Sequence, residues 1–208
     1  MESTQGIIIK ATAYKEKDKL LYVFTPNGII TLKASGVRSA KAKLKAYAEI
    51  LTFGEFTYEG SNAIKVLRSI DCTDNFFVAW SDLAKNSAFN FCFELTYKAF
   101  FNEKDTINEF VFLIKTVQNI AYGQALPIAY VLKYLVFCAS RLGIDYSIIE
   151  GYNPTVSNTL KSFEIADFDE IEILPFTTDE IKNAVNNLLR LYKSTMGITL
   201  EQLHVCTF

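Results

Sequence analysis

The spacing of apolar residues changes near residue 76, and this change constrains the fold more than any other feature. Before it, five short runs are rich in β-branched and aromatic residues and are separated by turn-forming residues. These runs cover residues 6–11, 20–25, 29–33, 50–58 and 64–70. After it, apolar residues recur at the three- and four-residue spacing of amphipathic helices. The sequence therefore predicts an α+β protein, with a β domain over residues 1–75 and a helical domain over residues 76–208.

The five predicted strands fit a small barrel. Residues 20–25 alternate between two faces, and Pro26-Asn27-Gly28 then predicts a tight turn, because Pro presets φ and Gly tolerates positive φ. Residues 29–33 return as the second strand of a hairpin. Five short strands punctuated by turns are typical of the OB-fold, a five-stranded barrel. An open five-stranded sheet has the same pattern, so that alternative remains.

Start and stop signals indicate where the helices lie. Thr106 with Glu109 and Thr177 with Glu180 are capping boxes, Pro127 suits a first helical turn and Gly143 a helix end. These signals predict helices over residues 87–101, 107–117, 127–142 and 177–197. A short helix over residues 200–205 is a further candidate.

Residues 144–176 interrupt the helical pattern. Gly151, Asn153 and Pro154 predict a loop, and the carboxylates between Glu164 and Glu172 alternate irregularly with apolar residues. We expect an irregular acidic insert here, with a short acidic hairpin packed on the helices. The carboxylates lack the ligand spacing of a calcium loop, which favours a solvated acidic face.

Several classes of protein conflict with the composition. The longest nearly unbroken apolar stretch covers residues 128–139 and is too short to cross a bilayer, which takes about 20 residues. The first residues lack the basic start and apolar run of a signal peptide. We therefore expect a soluble, intracellular protein.

Cysteine and histidine usage argues against metal and enzyme chemistry. Cys72, Cys92, Cys138 and Cys206 lie far apart without a Cys-x-x-Cys pair, and His204 is the single histidine. We expect no disulfide framework, no metal site and no cofactor. Because no nucleophile–base pair or Gly-rich phosphate loop is visible, we also expect no enzymatic activity.

The net charge of −2 conceals an asymmetry. Residues 1–70 hold eleven Lys/Arg and six Asp/Glu, which gives +5, whereas residues 71–208 hold ten and seventeen, which gives −7. A basic first third and an acidic remainder indicate different partners for each.

The connection between the third and fourth predicted strands concentrates the positive charge. Its cations are Lys33, Arg38, Lys41, Lys43 and Lys45, with no acidic residue between them. A basic loop on a barrel suits a phosphate backbone, and the nearby aromatic residues Tyr14, Tyr22, Tyr47 and Tyr58 suit base stacking. The alternative is a solvated basic loop beside core tyrosines, and spacing by itself favours that alternative.

A family resemblance changes this balance. Its motifs are, in order, Gly6-Ile-Ile-Ile-Lys10, Tyr14 with the turn Lys15-Glu16-Lys17-Asp18-Lys19-Leu20, Phe24-Thr25-Pro26-Asn27-Gly28, and Ala34-Ser35-Gly36-Val37-Arg38-Ser39 followed by Lys41 and Lys43-Leu44. In order and spacing, residues 6–70 resemble the N-terminal domain of the RecO family of recombination mediators. The usual Lys before the Gly-Ala-Arg loop is displaced here, since Ala34-Ser35 precede Gly36.

The resemblance implies a function. RecO-like proteins have an OB-fold that binds DNA and a helical domain; they anneal complementary strands coated by single-strand binding protein and act with RecR to load RecA. By this resemblance the expected ligand is single-stranded DNA, with double-stranded DNA as a second candidate, and the expected location is the bacterial cytoplasm. The expected DNA contacts are Lys10, Lys33, Arg38, Lys41, Lys43 and Lys45. Many members hold zinc through cysteines, whereas residues 144–174 contain no Cys or His, so zinc is not expected.

The helical domain offers a candidate for a protein partner. Lys133 and Arg141 border the most apolar predicted helix, and the acidic, apolar tail of single-strand binding protein would need such cations. The alternatives are two ordinary surface charges, or a fully buried helix without a pocket. Two other functions remain as alternatives to DNA binding. The first is a protein-interaction adaptor that keeps the barrel without binding DNA, and the second is an enzyme.

Overall fold

A computed structural model describes residues 1–39, 42, 44–151 and 153–200. The chain begins with five strands, which are β1 (Glu2–Tyr14), β2 (Asp18–Thr25), β3 (Gly28–Ala34), β4 (Phe53–Glu59) and β5 (Ile64–Asp74). They form a closed barrel in the order β1-β2-β3-β5-β4, with β1 pairing with β4 and the single parallel pair between β3 and β5. The predicted OB-type barrel is confirmed, and the open sheet is excluded.

The helices of the described residues are α1 (Leu83–Phe100), α2 (Ile107–Tyr122), α3 (Pro127–Arg141), α4 (Pro154–Ile165) and α5 (Thr178–Met196). Pro127 lies in the first turn of α3, as predicted. The capping box of Thr177 and Glu180 begins α5, and Gly197, with a φ of 67°, ends it. Residues 201–205 of the predicted last helix lie outside the described residues.

The acidic hairpin predicted near residues 164–173 is wrong. The structure has α4 and then a short 3-10 helix, Phe168–Ile173. Asn153 is the N-cap of α4, where its side chain accepts a hydrogen bond from the backbone nitrogen of Val156. The buried face of α4 consists of Val156, Leu160 and Phe163. Their spacing of four and three residues was hidden among residues that favour loops equally well.

Strand alternation builds the barrel interior. The core includes Ile8, Leu21, Val23, Leu32 and Phe56, all fully buried. The register between β1 and β2 shifts after Ile8, and the next inward residue of β1 is Ala11. This bulge leaves the intervening residue Lys10 on the outside of the barrel.

Residues 96–111 pack against the outside of the barrel. The ring of Phe24 lies 6.4 Å from that of Phe100 and 6.0 Å from that of Phe110, measured between centroids. The Thr106 hydroxyl donates to the carbonyl of Thr25 over 2.9 Å. This packing buries the apolar positions of β2 that face away from the barrel interior.

The β2–β3 turn is closely fitted to the connection between α1 and α2. Gly28 has a φ of +106°, and a Cβ at this position would lie 2.4 Å from the carbonyl oxygen of Glu103. Both the conformation and the close approach require glycine here. The predicted turn at Pro26-Asn27-Gly28 therefore has a packing role in addition to reversing the chain.

The described chain divides into two compact units. One contains residues 1–78 and 96–111, and the other contains residues 79–95 and 112–200. The barrel unit thus includes the last turns of α1 and the start of α2. The expected domain boundary near residue 75 stays a prediction.

No helix within the described ranges combines the length and apolarity that a membrane span requires. Helix α3, which contains the longest nearly unbroken apolar stretch of the sequence, has 15 residues. At 1.5 Å per residue it reaches about 22 Å, short of the roughly 30 Å hydrocarbon core.

Candidate nucleic-acid interface

The outer face of β1, β2 and β3 carries two of the predicted DNA contacts. Lys10 is paired with Tyr22 across β1 and β2, and Leu20 is paired with Lys33 across β2 and β3. Leu21 and Leu32 belong to the barrel core, so their neighbours Tyr22 and Lys33 face outward. Alternation therefore brings Lys10, Tyr22 and Lys33 onto one surface. In OB-folds the face of strands 2 and 3 is the surface that binds oligonucleotides.

Lys10 lies over two aromatic rings. Its Nζ is 4.2 Å from the ring centroid of Tyr97 and 5.3 Å from that of Tyr22. The two rings meet edge to face, with centroids 5.3 Å apart and planes at 88°. A cation held in this way contributes a fixed positive charge, because cation–π contact restricts the otherwise flexible lysine side chain.

Two aromatic residues of this surface were not anticipated from the sequence. Tyr97 comes from the last turn of α1, and Phe101 follows it with a ring centroid 4.9 Å from that of Tyr97. Both lie in a helical apolar pattern, which predicts core positions. The Phe101 side chain is nevertheless 42% exposed. No local signal distinguishes it from Phe100, which is buried.

The β1–β2 turn adds two cations that the sequence analysis did not select. Lys15 and Lys17 are exposed on either side of Glu16. The Arg38 guanidinium donates to the carbonyls of Lys15 and Glu16, over 3.2 and 3.1 Å. The backbone nitrogen of Arg38 also donates to the carbonyl of Lys17. Arg38 is thereby placed beside the turn, and this corner of the barrel gathers three basic residues.

The basic connection between β3 and β4 is anchored to the barrel at both ends. Val37 and Ala48 are buried in the barrel core, and the Asp18 carboxylate accepts a hydrogen bond from the backbone nitrogen of Gly36 over 2.8 Å. Lys45 lies exposed between these anchors. The predicted contacts Lys41 and Lys43 lie outside the described residues.

Three salt bridges are described in the barrel. Glu2 pairs with Lys65, Glu59 with Arg68, and Glu49 with Lys19. Within the described ranges, Lys15, Lys17 and Lys33 take part in no salt bridge. Their charge is consequently available to an anion.

The candidate stacking tyrosines have different environments. Tyr58 is 6% exposed and belongs to the barrel core, where burial raises its pKa and Lys65 lies 4.5 Å from its ring centroid. Tyr14 is half-buried beside Lys15, whereas Tyr47 is 40% exposed. Tyr58 is thus a core residue, as the alternative reading of the tyrosines held.

Comparison with known proteins decides the family. The family described as Recombination protein O N terminal matches residues 1–76. The DNA repair protein RecO of Lactobacillus acidophilus is 27% identical over 97% of this chain and 94% of its own length. Residues 1–76 are therefore a RecO N-terminal domain, and the chain as a whole is similar to RecO proteins. This confirms the resemblance read from the motifs between Gly6 and Leu44.

Other RecO proteins match over shorter stretches. The DNA repair protein RecO of Listeria monocytogenes is 33% identical over 48% of this chain and 39% of its own length. That of Clostridium perfringens is 30% identical over 74% of this chain and 64% of its own length. The matched segments thus span less than two thirds of these two RecO proteins.

In the helical unit the two candidate partner contacts have contrasting positions. Lys133 is 7% exposed, and its Nζ donates to the carbonyls of Phe163 and Glu164 over 2.8 and 3.1 Å. These carbonyls belong to the last turn of α4, where a helix carbonyl has no hydrogen-bond donor within the helix. The Lys133 ammonium supplies that donor. Burial lowers the pKa of Lys133. Arg141 is exposed in the last turn of α3.

The family's zinc ligands have no counterpart among the described residues. Cys92 and Cys138 are buried, and burial raises the pKa of the half-buried Cys72. The described part of the chain contains no group of three His, Cys, Asp or Glu side chains that would hold a metal ion. His204 and Cys206 lie outside it, and the absence of zinc stays a prediction.

Proposed function

We propose that this RecO-like protein acts in DNA repair by binding single-stranded DNA on the outer face of β1, β2 and β3. The observation that carries the proposal is the set of cations without described salt bridges, which runs from Lys33 to the β1–β2 turn. Such cations release counterions from a phosphate backbone on binding, which drives association without reading the sequence. The names of the similar proteins, DNA repair protein RecO, support the same role.

The proposed activity is that of a mediator without a catalytic step. Bound strands would be annealed to complementary strands, and the protein would act with RecR to load RecA onto DNA coated by single-strand binding protein. This part follows from the similarity to RecO proteins. The rival function, a protein-interaction adaptor, predicts the same barrel but no affinity for oligonucleotides.

The partner surface belongs to the helical unit in this proposal. Arg141 follows Ser140 in the sequence, and Ser140 lines a groove of about 430 Å³. The rest of the lining includes Ile144, Tyr146, Lys161 and the carboxylates Asp145 and Glu164. The apolar and hydroxyl groups suit the bulky hydrophobe of a peptide tail, and the tail carboxylate needs a cation because Asp145 and Glu164 would repel it. Of the two cations expected from the sequence, Arg141 is the exposed one, so we assign it the contact to the tail of single-strand binding protein.

A salt titration tests the DNA site. In the triple variant Lys17→Ala, Lys33→Ala, Lys45→Ala, we expect weaker binding of a labelled oligonucleotide and a salt slope flatter by about 0.7 per lost phosphate contact. The matched control replaces three exposed cations of the helical unit, Lys115, Arg190 and Lys193, by Ala and should keep the slope. Equal slopes in both variants would place the DNA site elsewhere. If the wild-type protein binds no oligonucleotide at low salt, the adaptor function is correct.

A further inference from the structure

We propose that Phe101, supported by Tyr97 and Tyr22, is a stacking platform for an unpaired nucleobase, which makes the barrel unit select single strands over duplex DNA. The inference rests on the proposed function, since it assigns the base-binding part of the same surface. Neither the sequence motifs nor the names of the similar proteins assign Tyr97 or Phe101 a role.

Support from neighbouring rings gives Phe101 a defined position. Its ring packs against Tyr97 at 55°, with centroids 4.9 Å apart. Tyr97 in turn meets Tyr22 edge to face, and Tyr22 is fixed by its strand between β1 and β3. Tyr22 and Tyr97 are half-buried, so they act as the base of the platform. An aromatic side chain held in this way loses little conformational entropy when a ligand stacks on it.

The exposed surface of Phe101 is not required for packing. Phe100, the preceding residue, is 4% exposed and stacks on Phe24, so it already supplies the apolar contact of this turn with β2. Phe101 leaves 42% of its surface in solvent. An exposed apolar ring can bind a nucleobase, because every base offers an apolar π-face.

Charge around the platform suits the phosphates on either side of a base. Lys10 lies 4.2 Å from the Tyr97 ring, and Lys33 is diagonal to Tyr22 on the same face of the sheet. The segment beside Phe101 is neutral overall, since Lys98 and Lys104 balance Glu103 and Asp105. The nearest excess charge is therefore positive, which matches an anionic strand.

This platform would separate single strands from duplexes. In a duplex each base is stacked between its neighbours and offers no free face, whereas an unpaired base can turn onto the ring. The cations of the surface contact phosphate in either form of DNA. Phe101 thus supplies selectivity for unpaired bases, and the lysines supply charge.

The Phe101 ring should matter only when the bound strand carries unpaired bases. Phe101→Ala in the full-length chain should weaken binding of an oligothymidylate about tenfold, within the range for loss of one stacking contact. Binding of an abasic strand of equal length, binding of a duplex, and the salt slope should not change. Phe101→Leu, which keeps apolar bulk without a ring, should behave like Phe101→Ala. Phe77→Ala is the matched control, because Phe77 is a 75% exposed aromatic ring without a contact to this cluster among the described ring pairs.

The outcomes separate this inference from the proposed function. If the wild-type protein binds oligothymidylate and Phe101→Ala loses nothing, or loses as much affinity for the abasic strand, the stacking platform is overturned and DNA binding stands. If Phe101→Leu keeps wild-type affinity, apolar bulk is sufficient and the stacking role is also overturned. If the wild-type protein binds neither strand at low salt, both proposals fail together.

Discussion

Arg38, a charged residue of the RecO-like motif, also has a structural role. Its guanidinium donates to two carbonyls of the β1–β2 turn, those of Lys15 and Glu16. These bonds leave the Arg38 side chain exposed while they hold the turn that displays Lys15 and Lys17. The charge of Arg38 remains, because a guanidinium does not lose its proton when it donates. The turn lysines could not be selected from the sequence, since their closeness to Arg38 depends on the register of β1 and β2.

The Tyr192 hydroxyl should make stability sensitive to alkaline pH. It is buried and donates to the carbonyl of Leu135 over 2.8 Å, and burial raises the pKa of Tyr192 well above its ordinary value. Between the unfolded pKa of about 10 and the raised folded pKa, the folded protein keeps a proton that the unfolded chain releases. The contribution of the Tyr192 hydroxyl to the free energy of unfolding is therefore fully present below pH 10. Above pH 10 this contribution falls by about 1.4 kcal/mol per pH unit.

Tyr192→Phe removes this dependence together with the hydrogen bond. We expect the variant to be less stable by about 1 kcal/mol at pH 8 and the difference to shrink as the pH rises above 10. Urea unfolding followed by circular dichroism at pH 8 and pH 11 measures both differences. A constant difference over this range would mean that Tyr192 titrates in the fold as it does in the unfolded chain.

At the scale of elements, the sequence is sufficient where the signals are local. The β2–β3 hairpin and α5 were predicted because a Pro-Asn-Gly turn and a capping box act over four residues. Helix α4 was missed because Asn153 and Pro154 begin a loop and a helix equally well. The outward positions of Lys10 and Lys33 follow from strand alternation. The exposure of Phe101 depends on how residues 96–111 pack on the barrel, which no local pattern encodes.

The contact between α3 and α4 depends on a buried lysine that the sequence could not place. The Lys133 ammonium binds the last carbonyls of α4, and Lys133→Met would keep the apolar bulk while leaving these carbonyls without their donor. We expect a loss of about 1–3 kcal/mol in the stability of the helical unit, the cost of unsatisfied buried polar groups. Lys115→Met on the exposed face of α2 is the control and should change stability by less than about 0.5 kcal/mol.

Calorimetry with a peptide of the single-strand binding protein tail separates the two cations assigned by sequence. Arg141→Ala should weaken peptide binding, whereas Lys133→Met should leave it unchanged at a temperature where the variant is folded. If Lys133→Met is as stable as the wild type and binds the peptide more weakly, the ammonium serves the partner and not α4.

At the scale of the whole molecule, the two compact units do not follow the order of the chain. The barrel unit includes residues 96–111, although in the sequence these residues come after one segment of the helical unit and before another. The reason is the burial of apolar surface. Phe24 faces outward from β2, so the barrel interior cannot bury it, and Phe100 and Phe110 cover it instead. A barrel closed by its own strands therefore still depends on side chains that the sequence assigns to helices.

Phe110→Ala tests which unit the start of α2 stabilises. Phe110 is 3% exposed and contacts both Phe24 and Phe53. Its truncation should cost about 3–5 kcal/mol, the usual range for a buried phenylalanine, and should reduce the hydrogen-exchange protection of the β2 amides. The matched control is Phe163→Ala, which removes a fully buried ring of the helical unit and should lower protection in α4 while β2 keeps its own. If Phe110→Ala lowers protection in α2 and leaves β2 unchanged, the barrel is stable without residues 96–111 and the domain boundary lies near residue 75.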